Sequence, residues 1–118
     1  MARLMSVALT ERAVVERRKT VTRRLGWAHA EPGMPLTLCR KVMGRKAGEP
    51  LVRLAEVEIV SVRRERLDAI TDDEVAREGF QTASAEWFVD FFTEEMKCAP
   101  DTEVTRIEWR YLDSEVSA

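Results

Sequence analysis

One histidine, one tyrosine and two cysteines among 118 residues leave little material for metal or redox chemistry. Cys39 and Cys98 lie 59 positions apart, no CxxC pair exists, and His29 is the sole imidazole, so no zinc-ligand spacing can be drawn. Two such cysteines in a reducing compartment are expected to be small buried apolar groups rather than a disulfide. His29 falls in the loop-like stretch Ala28 to Gly33 and is given no role. With 4 prolines and 5 glycines the chain is neither collagen-like nor low in complexity, and 45% hydrophobic residues argue against disorder.

No apolar run approaches the roughly 18 residues that a membrane span requires, and the N-terminal stretch is not that of a signal peptide. A cytoplasmic location without membrane contact is therefore expected. The nucleotide-binding GxGxxG and P-loop patterns, the metalloprotease HExxH, the GxSxG elbow and the EF-hand loop are all missing. No repeat or composition break marks a linker, so residues 1–118 read as a single domain, large enough to bury about two-thirds of its unfolded surface. Neither a metal nor another cofactor is expected.

What is present is charge, unevenly distributed. Up to Arg66 there are 15 Lys or Arg against 7 Asp or Glu, and from Leu67 onward 4 against 14. Such asymmetry points to an anionic partner for the basic half, nucleic acid or nucleotide above all. The other reading is that the two halves neutralise each other across the fold.

Patterning predicts mixed α and β structure. Met5 to Leu9 read as a strand, and Thr10 as the N-cap of a helix from Glu11 to about Arg18. The β-branched run Thr20, Val21, Thr22 opens a second strand to about Leu25. Glu31 to Pro35 is a turn, Leu36 to Cys39 a third strand, and Gly44 and Gly48 mark a basic loop. From Leu51 to Val62 the alternation slips phase, which predicts a bulge near Ala55 and a bent strand. Thr71-Asp72-Asp73-Glu74 is a capping box opening a helix that Gly79 ends. Ser84 caps the next helix, whose Trp87, Phe88, Phe91 and Phe92 form one apolar face and are read as core. Thr105 to Tyr111 alternate as a closing strand. The sum is an α+β fold, a small bent β-barrel decorated by about three helices.

The densest chemistry lies in Arg17-Arg18-Lys19-Thr20-Val21-Thr22-Arg23-Arg24. In a strand Thr22 and Arg24 share a face. Lys19 can join them if it sits on the turn before the strand.

These residues carry a resemblance. Ser6-Val7-Ala8-Leu9, a short helix, the Arg18 to Arg24 run, the Pro32-Gly33 turn and Ala76-Arg77-Glu78-Gly79-Phe80 together resemble an ASCH domain. The likeness covers nearly the whole chain. Leu54 to Leu67 and the acidic Thr71 to Glu78 helix also resemble versions common in phage and actinobacterial genomes. ASCH domains belong to the PUA-like superfamily of small β-barrels linked to RNA and modified nucleobases, which implies a PUA-like barrel recognising RNA or a modified nucleobase or nucleoside.

One ASCH branch comprises amidohydrolases that deacetylate N4-acetylcytidine, and similarity to it implies a catalytic group of Lys19, Thr22 and Glu78. A threonine hydroxyl needs a base to take its proton, and a lysine serves if burial and neighbouring cations depress its pKa. Glu78 would bond Lys19 or relay its proton, and Arg24 would hold a carbonyl or phosphate oxygen. Glu74 is the competing carboxylate, already explained by its spacing from Thr71. In a binding module Lys19, Arg18, Arg23, Arg24, Arg40, Lys41, Arg45 and Lys46 would meet phosphates, with Trp27 as a stacking surface. A metal-independent ribonuclease and a protein-interaction module are the further alternatives.

Overall fold

The computed structural model describes residues 2–112. Its strands are β1 (Arg3–Ser6), β2 (Val21–Arg24), β3 (Pro35–Cys39), β4 (Arg53–Arg66) and β5 (Glu103–Tyr111), and its α-helices are α1 (Glu11–Val15), α2 (Asp72–Glu78) and α3 (Ala85–Met96). Short 3₁₀ turns occupy Ala8–Thr10 and Leu67–Ala69. The sheet runs β1-β3-β4-β5-β2, with β1 parallel to β3 and the other neighbours antiparallel. It curls into a half-barrel, the α+β architecture that the pattern predicts.

Two bulges interrupt β4. Leu38 pairs with Ala55 and Cys39 with Arg53, which leaves Leu54 unpaired beside the predicted position. On the opposite edge Ile59 pairs with Trp109 and Ser61 with Glu108, so Val60 is the extra residue. Each bulge bends its strand and increases the local twist. Together they curl the sheet far enough to bring β1 and β2, its two edges, close to each other. An Arg24 Nη2–H bond to the Ser6 carbonyl, 2.8 Å long, ties those edges together.

The apolar side chains divide into two cores. Met5, Leu36, Leu38, Val57, Ile107 and Trp109 fill the hollow of the sheet. Leu67, Ile70, Val75, Phe88, Phe92 and Val104 join α2 and α3 to the sheet's far end. Among the described residues no helix is long and apolar enough to cross a membrane. Cys39 is buried and Cys98 partly so, both as free thiols.

Several predicted boundaries move, each for a physical reason. β1 begins two residues early and ends at Ser6, because a 3₁₀ turn takes over at Ala8. The Thr10 side chain makes no capping bond and packs instead against Gly79. α1 stops at Val15, since Arg17 adopts φ 62° and the Arg17 and Arg18 amides bond the Val14 and Ala13 carbonyls. That pair of bonds is a Schellman closure made without glycine. β4 outlasts its apolar alternation, reaching Arg66 because charged cross-strand pairs such as Arg64 with Glu103 replace apolar ones. Trp87, read as core, is 42% exposed, on the edge of the α3 apolar face.

Gly79 ends α2 as predicted, and two requirements hold it there. Its φ is +116°, and an added Cβ would lie 3.0 Å from Thr10 Cγ2 and 3.1 Å from Ala13 Cβ. α2 can therefore end directly against α1.

Candidate functional site

The early end of α1 decides where Lys19 goes. After the Schellman turn the chain reverses, and its backbone is fixed at each step: Lys19 N–H bonds the Ala13 carbonyl and Thr20 N–H the Arg77 carbonyl. The Lys19 carbonyl accepts from Trp109 Nε1 at 3.1 Å and from the Tyr111 hydroxyl at 2.5 Å. Lys19 thereby precedes β2 on the turn, and its side chain points inward at 3% exposure. The ammonium donates to the Glu78 carbonyl at 2.8 Å and to Glu78 Oε1 at 3.2 Å. Burial lowers its pKa below the usual lysine value; Glu78 opposes that shift, and the Arg24 and Arg23 charges add to it.

Glu78 sits on the last turn of α2, where the helix dipole disfavours an anion. Cations compensate. Lys19 holds one carboxylate oxygen, and Arg23 Nη1 holds the other at 3.0 Å. Arg23 is fully buried and also reaches Glu65 at 3.0 Å and Glu74 at 2.8 Å. Glu74 does not complete the capping box with its carboxylate. Thr71 Oγ1 accepts from the Glu74 N–H, but the Glu74 carboxylate accepts from Arg23, Arg77 and Arg106. The Arg106 and Arg23 hydrogen bonds outweigh burial and hold its pKa down at about 2. Both competing carboxylates are thus placed: Glu78 lines the pocket, and Glu74 braces Arg23 from behind.

Thr22 and Arg24 share a face of β2, as alternation requires. Arg24 Nε donates to Thr22 Oγ1 at 3.1 Å, which leaves the hydroxyl proton available to another acceptor. Among the described residues no hydrogen bond joins Lys19 to Thr22, and no carboxylate forms an ion pair with Arg24. Burial pulls the Arg24 pKa down, and Glu78 pulls it up.

A pocket of about 220 Å³ lies in the seam between the ends of β1 and β2. Lys19, Thr22, Arg23, Arg24 and Glu78 form its polar side. Phe80, Phe88, Phe91 and Phe92, all but one from α3, form its apolar side. Leu9 and Met96 also line it and are 70% and 46% exposed. The phenylalanines expected as core therefore serve twice: Phe88 and Phe92 are buried in the second core while facing the pocket, and Phe91 is half-buried. Sequence reasoning missed Phe80. Its available signal was its place directly after the helix-ending Gly79, which aims it back across the end of α2.

Six predicted binding residues do not line this pocket. Arg18 pairs with Glu16 at 2.7 Å on the surface. Trp27 packs on the first core, its ring stacked on His29 at 5.1 Å. Arg40 is held by both oxygens of Glu11, at 3.0 and 2.9 Å, and Lys41 lies 3.7 Å from Glu49. Arg45 bonds the Val42 carbonyl, and the Lys46 N–H bonds Glu49. Across the molecule basic and acidic halves meet in pairs, including Lys19 with Glu78, Arg23 with Glu74 and Arg110 with Glu58. These pairs offset the polarised charge of the sequence only in part, since Asp72, Asp73, Glu86, Asp90, Glu94 and Glu95 stay exposed. Among the described residues no group of three or more His, Cys, Asp or Glu could hold a metal ion.

No family model matches the chain, and no curated protein matches it by sequence. Solved structures do match in shape. An ASCH domain from Lactobacillus crispatus JV V101 superposes with a TM-score of 0.62 at 16% identity, over 87% of this chain and 70% of that one. A DUF984 protein from Enterococcus faecalis V583 superposes with a TM-score of 0.68 at 14% identity, over 100% of this chain and 82% of that one. The fold is of the ASCH type.

Proposed function

We propose that this ASCH-type fold recognises a modified nucleobase or nucleoside in the seam pocket. The observation that carries the reading is the pairing of an aromatic wall with a convergent polar edge: Lys19, Thr22, Arg24 and Glu78 face Phe80, Phe88, Phe91 and Phe92. A planar heterocycle needs an apolar surface for its face and donors and acceptors in its plane for its edge. Arg24 and Lys19 supply donors, Glu78 an acceptor and Thr22 either. The volume of about 220 Å³ equals roughly seven waters at about 30 Å³ each, the bulk of one base rather than a strand. The pairing of Arg40 with Glu11 and of Lys41 with Glu49 also favours a small ligand over an extended RNA track.

The second reading is hydrolysis of an N4-acylated cytidine in the same pocket. Two observations favour it: the buried Lys19, whose pKa is lowered, and the Thr22 hydroxyl, polarised by Arg24 and keeping its proton available. A neutral Lys19 would accept that proton as Thr22 Oγ1 attacks the acyl carbon. The C–N bond then breaks as the proton passes to the departing amine, giving cytidine and an acyl-threonine. Water hydrolyses this ester to the carboxylic acid and regenerates Thr22. Arg24 would stabilise the oxyanion, and Glu78 would keep Lys19 in place.

Calorimetric titration of the protein with N4-acetylcytidine, cytidine and an octauridylate tests the first reading. The acetylated nucleoside should bind with little dependence on salt. Preference for the octauridylate, with a log-log salt slope of roughly −0.7 per phosphate contacted, would replace it with an RNA track. Release of acetate tests the second.

A further inference from the structure

We propose that the hollow between the end of α2 and the first turn of α3 docks a basic segment of a protein partner. The hollow has a volume of about 560 Å³ and is lined by Phe80, Gln81, Thr82, Ala83, Ser84 and Trp87. This surface is distinct from the polar side of the seam pocket, and the inference does not depend on what that pocket binds.

Trp87 is the anchor. It is 42% exposed, yet its ring is held from within the protein. Phe91 lies 5.1 Å away with the two planes within 7°, and Phe80 packs against the indole at 5.2 Å with a 59° tilt. An aromatic ring fixed in advance loses little freedom when a partner covers it. A large exposed ring supported in this way meets the requirements of a contact anchor.

Charge identifies the occupant. Asp72, Asp73, Glu86 and Asp90 are exposed on α2 and α3, and Glu94 and Glu95 continue the series along α3. Asp72 also accepts the Ala85 N–H at 2.7 Å, which places its carboxylate at the start of α3 beside the hollow. The basic residues of these two helices and their caps are Arg77, bound to Glu74 and Glu108, and Lys97 at the far end of α3. A polyanion is repelled here. A Lys- or Arg-rich segment is attracted, with one cation over the indole face and its neighbours near the carboxylates.

The test is calorimetric titration of the intact protein with octa-arginine, octa-glutamate and octauridylate, using wild type, Trp87→Ala, Trp87→Phe and the double variant Glu86→Gln/Asp90→Asn. Octa-arginine should bind, and the other two should not. Trp87→Ala should weaken binding about ten-fold, and Trp87→Phe should restore most of it, because a phenyl ring keeps the cation-binding face. The double variant should weaken binding and flatten its salt dependence. Circular dichroism of each variant separates lost binding from lost structure. The proposal is overturned if octa-arginine does not bind, if folded Trp87→Ala binds it as well as wild type does, or if octauridylate takes the site instead.

Discussion

The Lys19 ammonium and the Glu78 carboxylate, 59 positions apart in the chain, meet at 3.2 Å with both side chains 4% exposed. Burial makes the two members unequal in what they support. Glu78 also holds Arg23 at 3.0 Å, so its removal strands the buried Lys19 ammonium and takes one of three carboxylates from Arg23, whereas removal of Lys19 leaves Glu78 still paired. Glu78→Gln should therefore cost about 3–5 kcal/mol in urea unfolding, and Lys19→Met clearly less. Equal losses would contradict the unequal sharing.

Thr22 separates binding from chemistry. Its hydroxyl accepts one bond, from Arg24 at 3.1 Å, and Thr22→Ala leaves the Arg24 bond to the Ser6 carbonyl in place. The variant should lose hydrolysis of N4-acetylcytidine by about a hundred-fold or more while its affinity changes by roughly ten-fold or less. Full turnover in Thr22→Ala would remove the nucleophile from the hydrolytic reading.

Acid should unfold the protein through Glu74. Its pKa falls from 4.5 unfolded to about 2 folded, so the unfolded chain binds the proton more readily between those values. The stabilisation is complete above about pH 4.5 and is lost as pH falls toward 2, an effect of at most about 3 kcal/mol. Glu74→Gln should remove that part of the acid slope and lower stability at pH 7. Lys19 adds a second slope: its folded pKa lies below the unfolded 10.5, so stability should rise with pH between the two. Guanidinium unfolding midpoints from pH 2 to 11 measure both.

Backbone conformation gives a pair of opposite effects. Gly79→Ala places a Cβ at a φ of +116° against Thr10 and Ala13 and should lower stability by about 1–3 kcal/mol. Arg17, at φ 62°, carries a side chain where glycine is favoured, and Arg17→Gly relieves that strain. The gain should be about 1 kcal/mol or less, since the variant also loses the Arg17 contact over the Tyr111 ring at 5.5 Å. Thermal melts of the two variants should move in opposite directions.

Local rules reached much of this site. Alternation placed Thr22 with Arg24, the capping rule placed Thr71 and Gly79 at the ends of α2, and the resemblance joined Lys19 to Glu78. Long-range pairing lay beyond those rules. That Glu74 would serve Arg23 and Arg106 instead of its own helix depends on how β2, β5 and α2 converge, which sequence spacing does not encode. The same holds for Trp27 and the α3 phenylalanines. Their apolar character was legible, but which ring would line a pocket depends on the curl of the sheet. The loop cations Arg40 and Lys41 looked available because Glu11 and Glu49 come beside them only in the folded chain.

The most direct measurement is a titration of N4-acetylcytidine into isotopically labelled protein, followed by side-chain resonances. The account predicts saturable shifts at Thr22, Phe80 and Phe91, with Trp27 and the 40–52 loop unchanged, and their loss in Arg24→Gln. Shifts confined to the loop, or no saturable shift in the seam, would contradict it.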